Sequence, residues 1–132
     1  YKINKNVISS LFFLSNFLNL INKNNYYCLS FLLLLISSIL YHSTKNNYIL
    51  IVDKFFCYNI ILTGLYFFLK RNKCDINTCI IIILFLSTIY IYIGGCYSSK
   101  YIFDKDLTIR ENFHVLFHLF ASLGHHIIIY SI

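Results

Sequence analysis

The chain has 132 residues, of which 58% are hydrophobic and 12% are charged, and its formal net charge is +6. A soluble domain typically carries about 25% charged residues, so the composition excludes an ordinary soluble domain and predicts one transmembrane helical domain over residues 1–132. The basic residues flank apolar runs, which favours the bilayer as partner and argues against nucleic acid. The five cysteines contain no Cys-x-x-Cys spacing, so we expect neither a disulfide framework nor a thiolate metal site.

Five apolar runs follow one another along the chain. The first, residues 7–21, is short and interrupted by Asn16 and Asn19, so it is the doubtful membrane span. The others cover residues 26–41, 48–69, 76–93 and 113–132. A helical span needs about 17–25 residues, and continuous apolar runs in lipid predict helices because the backbone must satisfy its own hydrogen bonds. We therefore expect an all-α, multi-pass integral membrane protein, a polytopic bundle with four to five transmembrane helices.

The order of the runs predicts which polar side chains share one side of the membrane. The second run ends at His42, and the third begins after a short connection, with Asp53 near its start. Two crossings later the last run begins at that same face with His114 and His118, after a longer connection over residues 94–112. All four side chains are therefore expected on one side, whether or not the first run is a span.

These four side chains, with one serine, form a candidate metal centre. His114 and His118 are spaced i, i+4, so they share a helix face and can hold one metal ion, for which His42 would supply the third nitrogen. Three nitrogens and a water make an open zinc site, which lowers the pKa of the water to about 7. Asp53, a costly carboxylate within an apolar run, is a candidate to orient or deprotonate that water. Ser38, four residues before His42, is a candidate hydrogen-bond partner of a substrate oxygen.

Each residue also has a purely structural interpretation. A histidine pair at a helix end can sit among lipid headgroups, Asp53 can pair with Lys54, and serines in membrane helices can bond the backbone. His125 and His126, which follow in the last run, are expected at the interface or packed against neighbouring helices. The presence of three histidines and an aspartate on one side favours the metal centre.

The stretch SILYH, the aspartate at position 53 and the stretch FHVLFHLFASLGHH resemble motifs of the superfamily of alkaline ceramidases, adiponectin receptors and hemolysin III proteins. That superfamily carries Ser-x-x-x-His late in one helix, Asp early in the next and His-x-x-x-His in the last. The matching positions here are Ser38, His42, Asp53, His114 and His118. The eleven-residue step from His42 to Asp53 is similar to the alkaline ceramidase branch.

The resemblance implies that the three histidines bind Zn²⁺, that Asp53 assists the zinc-bound water and that Ser38 completes the site. It implies a zinc-dependent amide hydrolase acting on a membrane lipid such as ceramide, with a shortened form of the seven-helix superfamily fold. The acidic amino-terminal calcium segment of ceramidases has no counterpart, because no acidic residue precedes Asp53. Two alternatives stay open: a hemolysin III or receptor-like protein without hydrolysis, and a degenerate, truncated membrane protein with structural zinc or none.

Overall fold

Seven α-helices follow one another in the computed structural model, which describes residues 4–132. They are α1 (Lys5–Ser10), α2 (Phe12–Leu20), α3 (Asn25–Thr44), α4 (Asn47–Arg71), α5 (Ile76–Ile89), α6 (Gly95–Ser98) and α7 (Leu107–Ile129). A π-helical segment, Tyr90–Gly94, joins α5 to α6, and a 3₁₀ turn, Tyr101–Phe103, precedes α7. Residues 4–132 contain no β-strand. The predicted all-α helical bundle is therefore confirmed.

Four helical segments are long and apolar enough to cross a membrane: Asn25–Thr44, Asn47–Arg71, Ile76–Phe103 and Leu107–Ile129. Their most apolar stretches have mean hydropathies of 1.5, 1.5, 2.3 and 1.2. Residues 7–21 instead form the two short helices α1 and α2, neither of which has the length of a membrane span. Of the predicted four to five transmembrane helices, four are therefore supported. By the criteria of helix length and hydropathy, the chain is a membrane protein.

Polar residues that precede five of the helices cap their N-termini. The side chains of Asn4, Asn24, Asn46, Asp75 and Asp106 each accept a hydrogen bond from a backbone N–H in the first turn of α1, α3, α4, α5 and α7, respectively. Such N-caps satisfy donors that the first turn of a helix leaves unpaired. Because Asp106 caps α7, the last helix begins at Leu107 rather than at residue 113 as predicted. The predicted connection over residues 94–112 contains the end of the π-helical segment, α6 and the 3₁₀ turn, and residues 107–112 belong to α7.

α1 and α2 lie against both α3 and α7, whereas α4 lies mainly against α3, and α5 lies against α7. Several polar residues of α1 and α2 face inward together with Phe13 and Leu20, while several of their apolar residues face outward. Buried here are Asn6, Ser9, Ser10 and Asn16, while Ile8, Leu11, Leu14 and Leu18 are exposed. Asn16 is a polar residue in an apolar run, yet it lies within α2. Its amide donates to the carbonyl of Ser122 (3.0 Å), and its Oδ1 accepts from the Ser122 hydroxyl (2.7 Å), so the buried side chain is satisfied.

Candidate metal centre

His42, His114 and His118 lie together between the end of α3 and the first half of α7. One ring nitrogen from each lies within 4.8 Å of the other two. The Nε2 atoms of His114 and His118 are 3.1 Å apart, and the ring centroid of His42 lies 4.6 Å from that of His114. Among the described residues this is the only group of three histidine, cysteine or acidic side chains so close together. The predicted proximity is present, and metal binding stays a prediction.

Two of the three rings of the triad are buried between helices. His42 lies in the last turn of α3, and its side chain is 3% exposed, while His118 on α7 is 5% exposed. The side-chain amide of Asn4 donates to the carbonyl of His42 (2.8 Å), so the start of α1 is joined to the end of α3. Helices α3 and α7 supply the three imidazoles, and the N-cap residue of α1 is bonded to the backbone of one of them.

The donor set fits zinc. Nδ1 of His42 is buried and has no hydrogen-bond partner among the described residues. An unpaired buried polar atom costs about 1–3 kcal/mol, a cost that a metal bound by this atom would remove. Zinc–nitrogen bonds of 2.0–2.1 Å in a tetrahedron place two ligand nitrogens about 3.3 Å apart, close to the 3.1 Å between His114 and His118. All five cysteines are free thiols outside this group.

Two serines of α1 contact the centre, and the sequence interpretation missed both. The hydroxyl of Ser9 lies 2.7 Å from Nδ1 of His118, and the hydroxyl of Ser10 lies 2.7 Å from that of Ser38. The signal that could have found them is the recurrence of polar residues at positions 6, 9, 10 and 16, a helical spacing inside an apolar run. In a membrane bundle such a polar stripe faces the protein interior.

Ser38 lies on α3 one turn before His42, as predicted, and its side chain is 1% exposed. The Ser10 hydroxyl donates to the carbonyl of Asn6 (2.9 Å), which uses its single hydrogen. The hydroxyls of Ser10 and Ser38 lie 2.7 Å apart, and both contacts of Ser10 are hydrogen bonds at once only if Ser38 is the donor. This bond joins α3 to α1, and the catalytic role of Ser38 stays a prediction.

Asp53 lies in the second turn of α4 and is buried. Its Oδ1 accepts a 2.9 Å hydrogen bond from the hydroxyl of Ser37, a residue that the sequence interpretation did not single out. The alternative ion pair with Lys54 does not form, and Lys54 is exposed. Asp53 also lies outside the group of nitrogens within 4.8 Å of one another. The bond to Ser37 joins Asp53 to α3, and its role beside a metal-bound water stays a prediction.

His125 and His126 pack against neighbouring helices, as their structural interpretation predicts. His125 forms a hydrogen bond through Nδ1 with the hydroxyl of Tyr27 on α3, and its ring meets that of Phe31 edge to face at 5.0 Å. Nε2 of His126 lies 2.8 Å from the Ser15 hydroxyl on α2. Neither ring belongs to the triad.

No family model, curated protein sequence or solved structure matches this chain. The resemblance to the ceramidase superfamily therefore rests on the motifs in the sequence alone.

Proposed function

We propose that the protein is a multi-pass integral membrane protein that binds Zn²⁺ through His42, His114 and His118 and hydrolyses an amide bond in a membrane lipid such as ceramide. The observation that carries the proposal is the approach of three imidazoles within 4.8 Å in a chain with four helices apolar enough to cross a membrane. Histidines in such helices are expensive to bury, so three of them at one point favour a functional role.

Zinc bound by three nitrogens would supply a water that is activated near neutral pH. The residues of the chain would then orient the ligands and move protons. Asp53 is the proposed proton acceptor: Ser37 holds its Oδ1, whereas its second oxygen has no hydrogen bond from the described residues. A carboxylate oriented on one side and unpaired on the other is suited to accept a proton.

A lipid substrate is supported by an apolar groove between α3 and α4. Leu33, Ile36, Leu40, Ile49, Val52 and Phe56 line this groove, together with Ser37. Ser37 is also the donor to Asp53. A hydrocarbon chain in the groove would therefore lie beside the side chain that holds the proposed proton acceptor, and the superfamily resemblance favours an amide over other lipid linkages.

A second candidate function is a membrane protein that binds zinc structurally and hydrolyses nothing. Two observations favour it. His42 and His118 are almost completely buried, which leaves little room for a substrate beside them. The hydroxyl of Ser38 is hydrogen-bonded to that of Ser10 on α1 and to no residue of the triad.

The test uses the full chain purified in detergent micelles. Elemental analysis measures zinc per protein, and mass spectrometry measures the fatty acid released from ceramide. One zinc per chain, with turnover lost in Asp53→Asn, supports the hydrolase. One zinc without turnover of ceramide or another N-acyl lipid supports the structural role, and protein without zinc contradicts both.

A further inference from the structure

Ser9 makes two hydrogen bonds, and its single hydroxyl hydrogen can serve only one of them. Its Oγ lies 3.0 Å from the carbonyl oxygen of Asn6, which can only accept. A hydroxyl that donates to the carbonyl three residues earlier is a common arrangement of helical serines. Nδ1 of His118 lies 2.7 Å away on the other side. Both contacts are hydrogen bonds at once only if Ser9 donates to the carbonyl and accepts from Nδ1–H of His118.

The acceptor role of Ser9 decides which nitrogen of His118 carries hydrogen. A neutral imidazole has one N–H, and the other nitrogen keeps a lone pair. With Nδ1 of His118 donating to Ser9, its Nε2 is the nitrogen with the lone pair. This Nε2 is the atom that faces Nε2 of His114 at 3.1 Å. The tautomer selected by Ser9 is thus the one in which His118 presents a free lone pair to the centre of the triad.

We infer that Ser9 is a positioning residue of the metal centre, which holds His118 as the Nδ1–H tautomer so that Nε2 is free to bind a metal ion. The metal part of this inference rests on the proposed function, whereas the tautomer does not. Hydrogen bonding at the distal nitrogen of a histidine ligand typically fixes both its tautomer and its ring orientation.

The carbonyl of Asn6 stabilises this arrangement. It accepts from the hydroxyls of both Ser9 (3.0 Å) and Ser10 (2.9 Å), so both hydrogens point back along α1. Ser9 and Ser10 are each at most 1% exposed, so water does not compete for their oxygens. α1 thereby directs one oxygen at His118 and another at Ser38.

The experiment compares Ser9→Ala and Ser9→Thr with a matched control, Ser15→Ala. Ser15 repeats the pattern of Ser9 outside the centre: its hydroxyl donates to the carbonyl three residues earlier (2.6 Å) and lies 2.8 Å from a ring nitrogen of His126. Full-length protein with ¹⁵N-labelled histidine is studied in micelles without metal, and long-range ¹H–¹⁵N spectra report the tautomer of each ring. The signals of His118 are assigned by their loss in His118→Gln.

Wild-type protein, Ser9→Thr and Ser15→Ala are expected to show His118 as the Nδ1–H tautomer, and Ser9→Ala is expected to lose it. Titration with zinc should then give an affinity about 10–100-fold weaker in Ser9→Ala than in the other three proteins. An Nε2–H tautomer in wild-type protein overturns the inference, as does an unchanged tautomer in Ser9→Ala. If wild-type protein binds no zinc, the proposed function fails, while the metal-free spectra still decide the role of Ser9.

Discussion

The hydroxyl of Ser37 on α3 donates a 2.9 Å hydrogen bond to Oδ1 of Asp53 on α4. Its chain neighbour Ser38 is bonded to Ser10 on α1 instead. Successive residues on an α-helix point about 100° apart, so two adjacent serines connect α3 to helices on two different sides. The serine that serves the carboxylate is therefore not the one in the Ser-x-x-x-His motif.

Asp53→Asn is expected to separate metal binding from hydrolysis. The amide keeps the shape of the carboxylate but cannot accept a proton as a base, so turnover of ceramide should fall about 10²–10⁴-fold. Zinc content should fall modestly, since Asp53 is not a ligand. Ser37→Ala, which leaves the carboxylate in place, should lose less activity than Asp53→Asn. Turnover that survives in Asp53→Asn would show that another group accepts the proton.

Loss of a triad histidine is expected to abolish zinc binding, because two remaining nitrogens hold zinc weakly. His114→Ala and His118→Ala should both yield protein without metal by elemental analysis. His125→Ala should keep its zinc, since this ring bonds Tyr27 and not the triad. It should still unfold at a lower temperature, because the buried Tyr27 hydroxyl loses its partner. Zinc loss in His125→Ala as severe as in His118→Ala would contradict the assignment of the site.

Gly64 and Gly124 are predicted to respond differently to the same methyl group. A Cβ at Gly64 would collide with the ring of His125, whereas a Cβ at Gly124 would meet only Leu84 at 3.8 Å, an ordinary contact. Gly64→Ala should therefore destabilise the protein by about 1–3 kcal/mol, as overpacking typically does. Gly124→Ala should be neutral or stabilising by up to about 1 kcal/mol, because alanine favours helix. Unfolding of both variants in mixed micelles measures the difference, and equal stabilities would show that His125 can move aside.

Asp75, outside the membrane-crossing helices, should make stability depend on pH. Hydrogen bonds from the backbone and side chain of Thr78, and from Arg71, lower the pKa of Asp75 below its ordinary value of 3.8. A lowered folded-state pKa means that the contribution is complete above pH 3.8 and disappears as the pH falls through the folded-state value.

Wild-type protein should therefore have a higher melting temperature than Asp75→Ala at pH 7, and the difference should shrink below pH 3.8. Asp75→Asn is the matched variant, because asparagine also caps helices well but carries no charge. Its melting temperature should lie between the other two at pH 7. A difference between wild type and Asp75→Ala that does not change with pH would show that the carboxylate charge contributes nothing.

The sequence by itself determined the helical class, and it predicted four to five long helices with the three histidines on one side of the membrane. Continuous apolar runs must be helices in lipid because every backbone group needs an internal partner. The number of predicted crossings then predicted that His42 lies on the same side as His114 and His118. The approach of one nitrogen from each ring to within 4.8 Å of the others depended on how the helices pack.

Only the tertiary structure decided what the first run does and which serines serve the site. By hydropathy, Asn16 interrupts the first apolar run. In the structure its side chain faces the interior, where Ser122 on α7 satisfies its hydrogen bonds. The contacts of Ser9 with His118 and of Ser37 with Asp53 join residues on different helices. Such pairs depend on the rotation of each helix about its axis, which packing against neighbours sets and which the spacing of residues along one helix leaves open.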